Sequence, residues 1–225
     1  MTDFSKDFFI AVKAVGDWTL EVLAVPFGSR DSDGQWFDDR TEIWEKAFST
    51  PLAVYQHGIK QGAKQLDEKP QVIGSSRPGS LHKEVDGWHL LIDLDSSKEI
   101  SKTVMDAAWK GNLAVSSGSI LHLSRLDIGG KLIQYEKNRP GRIAVWPLGE
   151  VSIWEKSNGN MQPANQYAMA LPAMKAIYRA AGVRFPDIDD THGATPEANE
   201  LVEKRARIAK AKEQSKKFIK NGEKS

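Results

Sequence analysis

The chain has 225 residues, 40% hydrophobic and 27% charged, with a formal net charge of +1, enough for one substantial core plus additional segments. No long apolar run predicts a membrane-spanning helix, and no basic-then-apolar stretch at the start predicts a secretory leader, so a soluble globular protein is expected. Cysteine is absent, which excludes disulfides, thiolate metal sites and a cysteine nucleophile, so covalent catalysis would need Ser, Thr, Lys, Tyr, His or a carboxylate.

The two segments FIAVKAV and WTLEVLAV flank Gly16-Asp17, a turn signal, and predict an opening hairpin. A polar loop, SRDSDGQWFDD, leads to a short helical candidate, TEIWEKAF, and PLAVYQHG reads as a strand ending in glycine. QVIGSSRPGSLHKEV and GWHLLIDLD are expected to pair across Asp86-Gly87. Ser96-Ser97-Lys98-Glu99 has capping-box spacing, Ile100, Val104, Ala107 and Ala108 share one helical face, and Gly111 is placed to stop that helix. LAVSSGSILHL, KLIQYE and GRIAVWPLGEVSIWE supply the remaining strands. The expected class is mainly β with helices (α+β): a barrel-like sheet with helices packed outside it, over residues 1–157.

Composition changes after Lys156. SNGNMQPANQ reads as a linker, residues 164–181 as a helix, and 183–196 as a loop. From Glu197 to Ser225 there are nine basic and five acidic residues, a net of +4 against −3 for the remainder. Residues 158–225 are therefore expected to form a linker and a basic, helical C-terminal extension, either an interaction arm or a solvated helix.

Three places can carry chemistry. His57 closes a strand, where one ring nitrogen can be exposed and the other fixed, as a general base requires. In LAVSSGSILHL, Leu113, Val115, Leu121 and Leu123 share a parity that makes a buried face. Ser116 then points away from that face and Ser117 into it, which favours Ser116 as nucleophile, with Ser117 the alternative if the strand bulges. In WPLGEVSIW, Val151 and Ile153 face the core and leave Glu150 and Ser152 opposite, where a carboxylate can orient a histidine; His122 is the rival third member. Asp31-Ser32-Asp33-Gly34 lacks the rest of a calcium loop and reads as a turn. His82, His89 and His192 lack the spacing of a helical zinc site.

Taken in order, these blocks resemble those of the tailed-phage prohead (capsid maturation) serine proteases, a family related to herpesvirus assemblin. They are the D-x-D-G of Asp31–Gly34, then His57-Gly58, then Val115-Ser116-Ser117-Gly118, then a Trp-Pro-x-x-Glu-hydrophobic-Ser pattern from Trp146 to Ser152. The likeness covers roughly residues 20 to 157. It implies a herpesvirus-protease-like β-barrel surrounded by helices, and a serine endopeptidase that cleaves scaffold and major capsid proteins inside the assembling prohead, in the host cytoplasm. The implied triad is His57 and Ser116 with Glu150, or with His122 in a Ser-His-His version, and no cofactor or metal is required. A homodimer is compatible with such an enzyme, and neither membrane attachment nor sequence-specific nucleic-acid binding is expected. The competing expectation is a non-catalytic capsid assembly or scaffold protein that retains the protease fold. A small serine esterase would need a G-x-S-x-G elbow, which the chain lacks.

Overall fold

A computed structural model describes residues 12–31, 33–43, 48, 50–58, 70–156 and 167–188. Those residues form a mixed α+β structure, with thirteen strands, two α-helices and one short turn of helix among the described residues. The strands of the larger sheet are β1 (Val12–Gly16), β2 (Thr19–Pro26), β4 (Leu52–Tyr55), β5 (Val72–Ser76), β6 (His82–Lys83), β7 (Gly87–Leu94), β8 (Leu113–Ile120), β12 (Leu148–Glu155) and β13 (Tyr167–Met169). A smaller sheet holds β3 (Gln35–Trp36), β9 (Arg125–Ile128), β10 (Lys131–Gln134) and β11 (Gly141–Val145). The helices are α1 (Glu99–Trp109) and α2 (Leu171–Ala180).

Both expected hairpins form: β1 pairs antiparallel with β2 around Gly16, and β6 with β7 around Gly87. The order in the larger sheet is β1-β2-β7-β5-β4-β12-β8-β13, with β6 on β7. This hydrogen-bonded path does not close, so the sheet is open where the sequence led us to expect a barrel. It curls strongly enough that β2 touches β8, and α1 packs against β1 as well as β8 and β12, bridging the two ends. Val104, Met105, Ala107 and Ala108 of α1 thus share a core with Leu20, Val22, Ile92, Val151 and Trp146 rather than lying on an outer surface. An amphipathic helix in that opening buries its apolar stripe without strand-to-strand closure.

The start of α1 differs from its predicted cap. Asp95 accepts hydrogen bonds from the backbone N–H and the hydroxyl of Ser97 (3.1 and 2.6 Å), and the helix begins at Glu99 without a side-chain cap. The Asp95 side chain thus closes a turn over Ser97, and the helix starts only after that turn. Gly111 ends the helix in left-handed backbone (φ +65°).

Elements beyond residue 157 pack onto this sheet. β13 pairs parallel with β8, and α2 packs Met174, Ile177 and Tyr178 against Phe48, Leu52, Val54 and Ile120 in a second core cluster. The compact unit therefore runs to Ile188. The predicted helix over 164–181 is shorter, because Pro172 sits in its first turn and the preceding residues are extended. Trp44–Ala47 of the TEIWEKAF candidate and the basic segment 196–221 lie outside the described residues. No helix among the described residues is long and apolar enough to cross a membrane.

Candidate active site

The central strands place the candidate residues. β12 lies between β4, to which it is parallel, and β8, to which it is antiparallel. Glu150 stands opposite Leu52 on one side and Gly118 on the other; Ser152 stands opposite Val54 and Ser116. Cross-strand partners share a face, and residues two apart on a strand share it as well. Glu150, Ser152, Ser116 and Gly118 therefore form one patch.

His57 reaches this patch by an unusual turn. Gln56, His57 and Gly58 follow β4 with φ of 51°, 54° and 63°, three consecutive left-handed residues. Each non-glycine residue held there costs about 1–2 kcal/mol, and such strain persists only where surrounding contacts impose it. Two contacts do so. The His57 backbone N–H donates to Ser152 Oγ at 2.6 Å, and its ring Nδ1 lies 2.5 Å from Glu150 Oε1. Gly58 is required as well, since a Cβ there would lie 2.7 Å from Pro70 Cβ. The turn folds the chain back over β12, so the imidazole lies across Glu150 and Ser152 with Trp154 beyond it, ring centroids 6.2 Å apart.

The Glu150 carboxylate needs the glycine opposite it. A Cβ on Gly118 would sit 1.8 Å from Glu150 Oε1, so the carboxylate lies flat across β8 because that position has no side chain. The Ser-x-Gly spacing thus has a physical cause on this face: the serine lies across from Ser152, and two residues on, the glycine makes room for the acid. Glu150 is fully buried, and its Oε2 has no hydrogen-bond partner among the described residues. Leaving a buried carboxylate oxygen unsatisfied is costly, so His57 holds a correspondingly large share of the charge's stabilisation. The cover over this acid comes from α2. Tyr178 donates to the Gly149 carbonyl at 2.9 Å, and Met174 and Phe48 pack so closely on Gly149 that a Cβ would meet them at 2.6–3.3 Å. Burial pushes the Tyr178 phenol well above its ordinary range, and the nearby charge of Glu150 adds to the rise.

The two serines divide as strand alternation predicts. Register is continuous through Glu150–Gly118, Val151–Ser117 and Ser152–Ser116, so the bulge that would turn Ser117 toward His57 is absent. Ser117 faces the main core and accepts a hydrogen bond from Trp146 Nε1 at 3.0 Å. Ser116 is almost fully buried, while the His57 side chain retains 12% exposure. Of the two candidate third members, Glu150 occupies His57 Nδ1; His122 lies in the turn after β8, its carbonyl accepting from Arg125 at 2.6 Å. Burial pushes the Arg125 guanidinium below its ordinary pKa. Arg142 is engaged by Asp127 and Asp38 in the smaller sheet, at 2.7 and 3.4 Å. Asp31 closes the expected turn, its Oδ1 accepting the N–H groups of Asp33 and Gln35 at 2.9 Å.

Sequence reasoning missed two contributors. Ser152 shares its parity with Glu150, so its presence on the patch was legible, but not its bond to the His57 backbone. Tyr178 lies on a helix that the sequence announces, but beyond a segment that reads as a linker, and nothing there ties it to the site. Comparisons with protein-family models, with curated proteins and with solved structures return no match, so function has to be read from this geometry.

Proposed function

We propose that the chain is a serine endopeptidase of the prohead maturation type, with an assemblin-like fold, in which Ser116 is the nucleophile, His57 the general base and Glu150 the acid that orients it. The observation that carries this reading is the His57 Nδ1–Glu150 bond beside a serine whose register puts it on the same patch. With Nδ1–H donated to a carboxylate, the Nε2 lone pair is left to act as base.

In this mechanism Nε2 takes the Ser116 proton as Oγ attacks a peptide carbonyl. Collapse of the tetrahedral adduct breaks the C–N bond, and the imidazolium gives its proton to the departing amine. Water, deprotonated by the same nitrogen, then hydrolyses the ester and regenerates Ser116. Glu150 stabilises the imidazolium in both halves. Backbone amides near Gly118 and the Arg125 guanidinium are the candidate oxyanion donors. β13 pairs with β8 from Gly118 to Ile120, and a peptide laid along the same edge ahead of Gly118 would pass Ser116, in the manner of an added strand.

Scaffold and major capsid proteins inside the assembling prohead are the proposed substrates. The test is co-expression of the chain with its scaffold and capsid partners, comparing wild type with Ser116→Ala, Ser117→Ala and His57→Ala. Processing that disappears with Ser116→Ala and His57→Ala, and survives Ser117→Ala, is the expected result. Loss of the nucleophile should cost about 10⁴-fold or more in rate. Equal processing in all four would overturn the protease and leave a capsid assembly protein.

A further inference from the structure

A second cluster of histidines and carboxylates lies away from Ser116, on the outward face of the β2–β7–β6 part of the sheet. His82 of β6 is the direct cross-strand partner of His89 of β7, and their rings stack with centroids 5.7 Å apart. His89 in turn stands opposite Leu23 of β2, which shares a face with Glu21. The turn joining the two strands adds Glu84 and Asp86. Its backbone is tied down, because Glu84 N–H donates to the Gly87 carbonyl and Phe27 N–H to the Asp86 carbonyl, each at 2.8 Å. Gly87 packs so close to β2 that a Cβ would lie 2.3 Å from the Val25 carbonyl oxygen.

The protonation logic of His82 points outward. Its Nδ1 lies 2.9 Å from the Ser80 carbonyl oxygen, which can only accept, so Nδ1 carries a hydrogen. In the neutral ring Nε2 then holds a lone pair, and it faces Glu84 Oε1 at 3.1 Å. Either a proton on Nε2 or a metal cation bound there closes that contact. A histidine whose far nitrogen is fixed by a backbone carbonyl has the second-shell arrangement of a metal ligand. Glu21, His82 and Glu84 offer ligand atoms all within 4.8 Å of one another, and Glu84, Asp86 and His89 form an adjoining group that shares Glu84. Tetrahedral zinc, with bonds of about 2.0–2.1 Å, needs ligand atoms about 3.4 Å apart, so small side-chain rotations suffice. Among the described residues no lysine or arginine forms an ion pair with Glu21, Glu84 or Asp86; Lys13, opposite Glu21 in register, makes none with it. Lys83, the next residue on β6, instead sits over the Trp88 ring at 5.7 Å.

We propose that Glu21, His82 and Glu84 bind one divalent transition-metal ion per chain, with Zn²⁺ the best fit to an imidazole nitrogen and carboxylate oxygens, and with water completing the coordination. Glu84 also lies beside the Asp86–His89 pair, all ligand atoms within 4.8 Å of one another. The ion would pin the β6–β7 hairpin to β2. The site is independent of the proposed peptidase chemistry.

The test is titration of the full chain with ZnCl₂ in competition with a chromophoric chelator, alongside visible absorption of the Co²⁺-substituted protein. One ion per chain, tetrahedral Co²⁺ bands, and affinity weakened about 100-fold in His82→Ala and in Glu84→Gln are expected. His57→Ala should bind as wild type does. His82→Ala and Glu84→Gln lie on an exposed face, and circular dichroism checks that each variant is folded. Absence of binding by the wild type at micromolar zinc, or equal binding by folded His82→Ala, would overturn the proposal. So would loss of binding in His57→Ala.

Discussion

The two faces of the β8–β12 pair hold similar residues under different constraints. On one face Ser116, Ser152, Glu150 and His57 form a buried polar patch, with a strained turn and a carboxylate oxygen that has no hydrogen-bond partner among the described residues. On the other, Ser117 is also buried but lies among Val151, Ile153 and Trp146 and accepts a bond from the indole. Burial and residue type therefore do not separate the proposed nucleophile from a structural serine. What differs is the company: one hydroxyl shares its face with an acid–histidine pair, and the other helps satisfy a core tryptophan. Substitutions on the first face should alter turnover, and those on the second should alter stability.

The largest effect after loss of the nucleophile should follow Glu150→Gln. An amide keeps the shape but can no longer stabilise an imidazolium, and turnover should fall about 10³–10⁴-fold with little change in KM. His122→Ala should stay within about tenfold of wild type, since the Nδ1 contact belongs to Glu150. Steady-state kinetics on a scaffold-derived peptide would decide it, and the reverse ranking would move the orienting role to His122.

Gly118→Ala comes next. The added methyl would overlap Glu150 Oε1, so the carboxylate must leave the β8 surface and with it His57 Nδ1. Turnover should drop about 10²-fold, and overpacking should cost about 1–3 kcal/mol of stability. A crystal structure showing an unmoved Glu150 in this variant would break the link between the Ser-x-Gly spacing and the acid.

How much of this was legible in advance depended on the range of the signal. Alternation in LAVSSGSI separated Ser116 from Ser117 because side-chain period is a local property of one strand. The parity of Glu150 and Ser152 in WPLGEVSIW was legible for the same reason. The left-handed turn at His57 was not, since Gln56 and His57 adopt it only under contacts from a strand some 95 residues away. The cover supplied by α2 was hidden behind a stretch of linker composition, and the open sheet was missed because strand count does not say whether a path closes. His82 and His89 were set aside on a helical template, whereas a hairpin makes neighbours of residues seven apart.

Ser152→Ala should have a smaller effect, and Thr should partly restore it. The hydroxyl accepts the His57 N–H, so its loss removes that acceptor and relaxes the turn; a penalty of about 1–3 kcal/mol is expected. If it falls on the turn's position rather than on substrate binding, kcat should fall about tenfold while KM holds. Equal changes in both constants would indicate a substrate-binding role instead.

Ser117→Ala should have the smallest effect on catalysis, which makes it the sharpest control. Its hydroxyl accepts from Trp146 Nε1 in a fully buried setting, where the ring also packs edge-on to Phe37 with centroids 5.5 Å apart. Truncation deprives the indole N–H of that acceptor and should cost about 1–3 kcal/mol. For a chain of this size that lowers Tm by about 2–10 °C, with turnover below the melt within a few-fold of wild type. A variant that melts with wild type yet loses turnover would put Ser117, not Ser116, on the reactive face, and the register of β8 against β12 would have to slip by one residue to account for it.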